Sequence, residues 1–123
     1  MRSFYISDVQ TDHAGDGDIA VLVIGGELDY EVSPQLRARL LGAINAGRRR
    51  LVLDLSDVTF IDSTAIGVLA GAVARLDKVG GGSLAVVSTH EKVLEIFEIT
   101  GLDSVITMHG SRDEAVSVLA MAG

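Results

Sequence analysis

The fold of this chain is decided by one stretch near its middle, which reads Leu51-Val52-Leu53-Asp54-Leu55-Ser56-Asp57-Val58-Thr59-Phe60-Ile61-Asp62-Ser63-Thr64. The first five residues form an apolar run that predicts a buried strand. Residues 56–61 predict a short connection, and Asp62-Ser63-Thr64 predicts the start of a helix that runs to about Lys78. Side-chain oxygens are favoured there because they accept hydrogen bonds from backbone N–H groups that have no partner at a helix start. The Ser63 hydroxyl therefore serves as a cap, a nucleophile or a phosphoryl acceptor, and the motif alone favours the cap.

Hydrophobic patterning on both sides of this stretch predicts the remaining elements. Two strands precede it, and a helix begins with Ser33 as its N-cap and Pro34 at the first helical position. Ser111 and Glu114 are spaced as a capping box before the last helix. The predicted elements outside the central stretch are strands Ser3–Gln10 and Asp18–Leu28 with a turn at Thr11–Gly17, a helix from Ser33 to about Asn45, a strand Leu84–Val87, a helix from about Thr89 to Gly101 with apolar positions Val93, Leu94, Ile96, Phe97 and Ile99, a strand Ser104–Met108, and a helix carrying Ala115, Val118 and Leu119.

Strands alternate with helices after the first hairpin, which predicts parallel strands joined by right-handed crossovers. The fold class is α/β, with a mixed sheet of four or five strands and about four helices. The hairpin supplies the antiparallel part. With 123 residues and no linker or repeat, the chain is predicted to form one domain over residues 1–123.

Composition excludes several classes of function. The formal net charge of -7 argues against a nucleic-acid partner, which requires a basic surface, and against an anionic membrane surface. The sequence shows no run of 18 apolar residues and no secretory signal, so we expect no membrane association. Cysteine is absent, which excludes disulfides and thiolate metal sites. These features predict a cytoplasmic protein.

Motifs for catalysis are not found. His13, His90 and His109 are separated along the chain, and none has a second ligand at metal-binding spacing. Ser63 does not lie in the Gly-x-Ser-x-Gly pattern of hydrolases, and no Gly-rich phosphate loop or dinucleotide motif follows a strand. We therefore expect no enzyme activity, no catalytic residues, no metal and no cofactor.

The run Arg48-Arg49-Arg50 has two interpretations. It forms an anion-binding or nucleic-acid-binding patch, or it is a solvated approach to the buried strand that follows. The second is favoured because three arginines in so acidic a chain do not make a nucleic-acid surface.

The helix from Ser63 carries two different faces. Its buried stripe is predicted to comprise Ala65, Leu69, Ala72, Val73 and Leu76. A second, nearly bare face carries Gly67, Gly71, Ala74 and Lys78, although Gly inside a helix costs about 1 kcal/mol relative to Ala. Either another protein approaches this face closely, or the glycines pack on the domain's own sheet; spacing alone does not separate the two.

Three segments together resemble the STAS family, in particular the bacterial anti-sigma factor antagonists. They are Gly26-Glu27-Leu28-Asp29 with Ser33-Pro34-Gln35-Leu36, Leu51–Ser56 with Phe60-Ile61-Asp62-Ser63-Thr64, and Ile96–Leu102. The segments span nearly the whole chain in the family's order.

The resemblance implies a regulatory function. Members of the family bind an anti-sigma factor that is also a serine kinase, and binding frees the sigma factor. The kinase phosphorylates the Ser of the Asp-Ser motif, here Ser63, and a metal-dependent serine phosphatase reverses the reaction. Thr64 is the second choice as acceptor, and ATP and magnesium belong to the partner. With the bare helix face, the resemblance predicts a partner-binding surface of Asp29, Asp62, Ser63, Thr64, Gly67, Gly71 and Ala74.

The sequence departs from the family pattern at two positions, with Ala65 where Gly is usual and Val32 where Thr is common. Ala is suited to position 65 if the backbone there is helical. An alternative function is a STAS interaction module of a transporter, lipid-transport or stress-signalling complex, in which Ser63 is not phosphorylated.

Overall fold

A five-stranded sheet forms the centre of the computed structural model, which describes residues 4–9 and 19–122. The predicted turn Thr11–Gly17, with His13, lies outside these residues. The strands are β1 (Phe4–Val9), β2 (Ile19–Leu28), β3 (Arg50–Ile61), β4 (Ser83–Val87) and β5 (Thr107–His109). The helices are α1 (Ser33–Asn45), α2 (Ser63–Lys78), α3 (Glu91–Thr100) and α4 (Arg112–Ala122), and a single 3-10 turn covers Leu102–Ser104.

The sheet is mixed, and its strands lie in sequence order. β1 pairs antiparallel with β2, whereas β2, β3, β4 and β5 are parallel neighbours. The predicted α/β class, with an antiparallel hairpin at one edge, is confirmed.

The helices divide between the two faces of the sheet. Right-handed crossovers that advance in one direction place their helices on one face. Accordingly, α1, α2 and α3 bury Leu36, Leu69 and Phe97 in one large cluster with alternate residues of the strands. On the other face α4 packs Ala115, Val116 and Leu119 over a second, smaller cluster.

β3 is longer than predicted, because residues 56–61 continue the strand. They remain paired with β2, for example at Gly26↔Val58 and Leu28↔Ile61, although the register shifts twice along β2. Gly26 absorbs one shift with a φ of 97°, a backbone conformation that L side chains rarely adopt. The predicted connection at Ser56–Ile61 is therefore wrong, and β3 carries the chain directly to Asp62.

Two predicted helix caps differ from the structure. At the start of α1 the N-cap is Val32, without a side-chain cap, and Ser33 is already helical. The Ser33 hydroxyl instead donates to the Asp29 carbonyl oxygen at 2.8 Å. Before α4, Glu114 N–H donates to Ser111 Oγ at 3.1 Å, but the Glu114 carboxylate contacts His109, so only half of the capping box forms.

The last strand and some apolar positions also need correction. β5 begins at Thr107, not Ser104, because a 3-10 turn lies between α3 and β5. Ile99 in α3 is 71% exposed and Val118 in α4 is 43% exposed, so neither belongs to the core. In α2, Ile66 belongs to the buried stripe in place of the predicted Val73, which is only partly buried.

Besides the contact of Glu114 with His109, arginine side chains attach α4 to the sheet. Arg112 Nε donates to Oδ2 of the buried Asp54 at 3.1 Å, and Asp54 Oδ1 accepts from Ser56 N–H at 3.0 Å. Near the end of α4, Arg50 donates to the Leu119 carbonyl oxygen.

Side chains also cover the edge strand β1. Arg39 of α1 donates to the Ile6 carbonyl oxygen at 3.2 Å and to Asp8 Oδ1 at 2.9 Å. Across the sheet, the Tyr5 ring lies against Gly25, where a Cβ would approach it to 2.2 Å.

Candidate functional site

The site is assembled where β2 and β3 end. The two strands are parallel neighbours, so their carboxyl ends meet at the same edge of the sheet. Asp62 N–H donates to the Leu28 carbonyl oxygen at 3.0 Å, which links the loop after β3 to the end of β2. Asp29 and Asp62, each following its strand directly, are thereby brought to one place, as predicted.

Asp62, and not Ser63, is the N-cap of α2. Its backbone is extended, with φ −104° and ψ 178°, and its Oδ1 accepts from Ala65 N–H at 3.0 Å. Ser63 is the first helical residue and is exposed, as is Thr64. The interpretation of Ser63 as the cap is therefore wrong, and its hydroxyl is presented to solvent beside the positive end of the helix dipole.

Asp29 organises its own loop. Its Oδ1 accepts from Glu31 N–H at 3.0 Å and Val32 N–H at 3.4 Å, and its carbonyl oxygen accepts from Ser33 N–H at 3.0 Å. The residue is only 4% exposed. Asp29 thus fixes the loop between β2 and α1.

An acidic depression with aromatic walls lies at this edge of the sheet, lined by Glu27, Asp29, Tyr30, Phe60 and Asp62. Tyr30 is 63% exposed and Phe60 is 48% exposed. Sequence reasoning missed both aromatic residues. Strand alternation gave no signal for Phe60, because beyond Leu55 only every third residue of β3, Val58 and Ile61, is buried.

A groove of about 300 Å³ runs between α1 and α2, beginning beside Ser63. It is lined by Arg37, Leu40, Leu41, Thr64, Gly67, Val68, Gly71 and Ala72. A Cβ added at Gly67 or Gly71 would meet nothing within 4 Å. The glycines therefore do not pack closely on the domain's own sheet. Ala74 is exposed but does not line the groove.

The three arginines have local structural contacts. Arg48 donates to the Ile19 carbonyl oxygen at 2.7 Å and Arg49 to that of Ile44 at 2.8 Å, while Arg50 reaches Leu119. All three are half-buried. They are neither an anion patch nor merely solvated, because each guanidinium binds a backbone carbonyl.

Ala65 lies in the first turn of α2, fully buried and helical. Among the described residues, none other than Gly has a positive φ. Ala is therefore compatible with this position. Val32 occupies the N-cap of α1 without a side-chain cap, and its N–H lies 3.4 Å from Asp29 Oδ1.

Histidine and acidic side chains do not gather into a metal site within residues 4–9 and 19–122. His109 is 9% exposed and contacts Glu114 Oε1 at 3.0 Å and Thr107 Oγ1 at 2.9 Å. In the same ranges, no helix has the length and apolar character needed to cross a membrane.

One ionisable group near the end of the sheet has a perturbed pKa. Tyr5 Oη donates to Asp57 Oδ2 at 2.7 Å, and this hydrogen bond is the main reason why the pKa of Tyr5 is raised above 10.0. Burial and the negative charges of Asp57 and Asp54 act in the same direction.

The fold and the strand-end site define a STAS domain. The STAS domain family matches residues 10–115, and the chain belongs to this family. The resemblance found in the sequence is confirmed.

Its relatives include proteins named as anti-sigma factor antagonists. The anti-sigma-B factor antagonist of Bacillus subtilis (strain 168) is 34% identical over 93 residues, which cover 76% of this chain and 84% of that protein. The crystal structure of an anti-sigma factor antagonist from Mycobacterium paratuberculosis is 27% identical, with a TM-score of 0.78 and coverage of 94% of this chain and 95% of that one.

A third protein, the anti-sigma factor antagonist SpoIIAA, shares the fold at 22% identity. Its unphosphorylated form has a TM-score of 0.76 and covers 96% of both chains. The phosphorylated form of the Bacillus protein has a TM-score of 0.67, with coverage of 94% of this chain and 97% of that one.

Proposed function

We propose that this chain is an anti-sigma factor antagonist that binds an anti-sigma factor with serine kinase activity, releases the sigma factor, and is inactivated by phosphorylation of Ser63. The names of the relatives support the first part. A serine phosphatase reverses the modification, and the exchange takes place in the cytoplasm, where the sigma factor acts.

The position of Ser63 is the observation that carries the proposal. Asp62 already caps α2, so the Ser63 hydroxyl is exposed and is not required for the helix. A kinase therefore has access to it without unfolding the helix. The helix N-terminus favours the added negative charge, since its N–H groups and dipole stabilise anions. Thr64 is also exposed, but it faces the groove beside α1, which makes it the second choice.

The acidic surroundings explain how a phosphate ends binding without refolding. It adds about −1.5 to −2 charge at neutral pH, next to the carboxylates of the acidic depression. Burying one such charge against a partner without a compensating cation costs roughly 3–5 kcal/mol. This corresponds to roughly two to three and a half decades of affinity.

Intact-mass measurement in the native host tests the proposal. Wild-type and Ser63→Ala proteins are recovered, and the co-purifying proteins are identified. We expect an added mass of about 80 Da, that of one phosphoryl group, on the wild-type protein only. The Ala variant should enrich an ATP-dependent serine kinase and anti-sigma factor, because its binding is never switched off.

Thr64→Ala is the matched control, because it removes the neighbouring hydroxyl and leaves Ser63 in place. It should retain the added mass. If the wild-type protein is unmodified under all growth conditions and a transporter or scaffold co-purifies instead, the proposal is wrong and the alternative STAS module applies.

A further inference from the structure

The groove between α1 and α2 has an apolar floor and an open rim. Leu40 and Ala72 are buried at its base, and Leu41 and Val68 are half-buried. The exposed residues along its edges are Arg37, Thr64, Gly67 and Gly71. From Thr64 to Ala72 the wall formed by α2 is about 12 Å long, at 1.5 Å per residue, which matches two turns of another helix.

Gly67 and Gly71 make one edge of this groove accessible to the backbone of another protein. Nothing lies within 4 Å of a Cβ built at either position, and the residues are four apart, so they lie on the same side of α2. Helices pack by fitting the ridges of one into the grooves of the other, and small residues at the contact allow the axes to come close. The shape therefore suits a helix better than a loop.

The charge of Arg37 adds a requirement on a helix that would occupy the groove. Arg37 is the ionisable residue among those that line the groove, and it is exposed on the wall formed by α1. Exposed ion pairs contribute little affinity but fix orientation and partner choice. An occupant with a carboxylate at the edge of its apolar face would complement this wall.

The groove is also continuous with the site of proposed phosphorylation. Thr64 lines its upper end, and Ser63 precedes it by one residue. A helix seated there would end beside Ser63, so a charge on residue 63 would lie next to the occupied groove.

We infer that the α1–α2 groove receives an amphipathic helix of the anti-sigma factor, with a carboxylate of that helix paired to Arg37. This inference rests on the proposed function, and it names the element by which the partner binds.

Site-specific crosslinking tests the inference. Because the chain contains no cysteine, a single introduced cysteine can be labelled selectively with a crosslinker. Thr64→Cys, at the exposed upper end of the groove and within the Ser63→Ala background, carries a photoactivatable crosslinker and is mixed with the purified kinase and anti-sigma factor enriched by Ser63→Ala. Ala70→Cys is the matched control, because it is exposed on α2 but does not line the groove. We expect crosslinks from position 64 to fall on one helix of the partner that carries an acidic residue beside its apolar face. Crosslinks spread equally from both positions would overturn the inference.

Affinity measurements on the same partner provide a second readout. Gly71→Leu should weaken binding roughly five- to 150-fold by filling the groove, whereas Ala70→Leu should not. Arg37→Gln should weaken binding about two- to fivefold, and Gln35→Glu, which changes net charge equally nearby, should have a smaller effect. Melting temperature serves as the folding control, and Gly71→Leu should not lower it because the new side chain enters open space.

The outcomes separate the two proposals. If the kinase binds Ser63→Ala and Gly71→Leu leaves that affinity unchanged, the groove is not the docking site and the proposed function stands. If no anti-sigma factor binds Ser63→Ala, both proposals are wrong.

Discussion

Adjacent residues at the start of α2 have different tasks, because Asp62 caps the helix while Ser63 is exposed. Asp62→Ala should lower the free energy of unfolding by about 0.5–2 kcal/mol, since Ala65 N–H loses its acceptor. Urea denaturation measures the change. Asp62→Asn retains a side-chain acceptor and should lose less.

Ser63→Ala is the control for that series. It should change stability by no more than about 0.5 kcal/mol, as expected of an exposed position without a capping role. A loss as large as that of Asp62→Ala would contradict the assignment of the cap to Asp62.

The hydrogen bond from Tyr5 to Asp57 leads to a prediction about the pKa of Tyr5, which lies outside the candidate site. Because the pKa of Tyr5 is raised above 10.0 in the folded protein, the protonated phenol stabilises the folded state. This contribution to the free energy of unfolding is fully present below pH 10. It is lost as the pH rises through the higher pKa of the folded protein. Asp57→Asn should lower the pKa of Tyr5 toward 10.0. The ultraviolet absorbance of the phenolate measures the pKa of Tyr5. The Tyr30→Phe substitution is included in both proteins, so that Tyr5 is the tyrosine that titrates. An unchanged titration would show that Asp57 is not the cause.

At the scale of elements, two glycines should respond to alanine in opposite directions. Gly71→Ala should stabilise the protein by about 0.5–1 kcal/mol, because Ala is the better helix former and its Cβ meets open space. Gly82→Ala should destabilise it, since a Cβ there would lie 2.3 Å from the Arg49 carbonyl oxygen. Chemical denaturation of both variants, compared by their midpoints, provides the test. Equal shifts would contradict the different surroundings of these glycines.

Local patterns were sufficient for most of the fold and for the location of the site. The alternation of apolar strands with helices indicated parallel pairing, and parallel pairing alone brought Asp29 and Asp62 to one edge of the sheet. The resemblance added the proposal that Ser63 is a phosphoryl acceptor, and the structure adds that its side chain is exposed.

Features that depend on a neighbouring element could not be read from the sequence. Residues 56–61 look like a loop, and they are a strand because β2 continues beside them through two register shifts. The exposed aromatic residue Phe60 follows from that extension. Open space beside Gly67 and Gly71 likewise depends on how α1 crosses α2, which no single helix specifies.

For the whole molecule, we expect phosphorylation of Ser63 to leave the fold intact. The new charge is at a helix N-terminus, which favours anions, and it does not displace the hydrogen bond between Asp62 and Ala65. The phosphorylated and unphosphorylated proteins should therefore give the same far-ultraviolet circular dichroism, with melting temperatures within a few degrees. Ser63→Asp, with a single negative charge, is the intermediate control. Loss of structure on phosphorylation would show that binding is switched by unfolding and not by charge.

The contact of Arg39 with β1 has a consequence for solubility at high concentration. An edge strand offers unpaired carbonyl and N–H groups that recruit strands from other molecules. Here the Arg39 guanidinium donates to the Ile6 carbonyl oxygen and forms an ion pair with Asp8 on the same strand. A strand from another molecule would therefore have to displace this charged side chain before it could add to the sheet. A residue that contributes nothing to the proposed docking groove thus shields the edge of the sheet from strand addition.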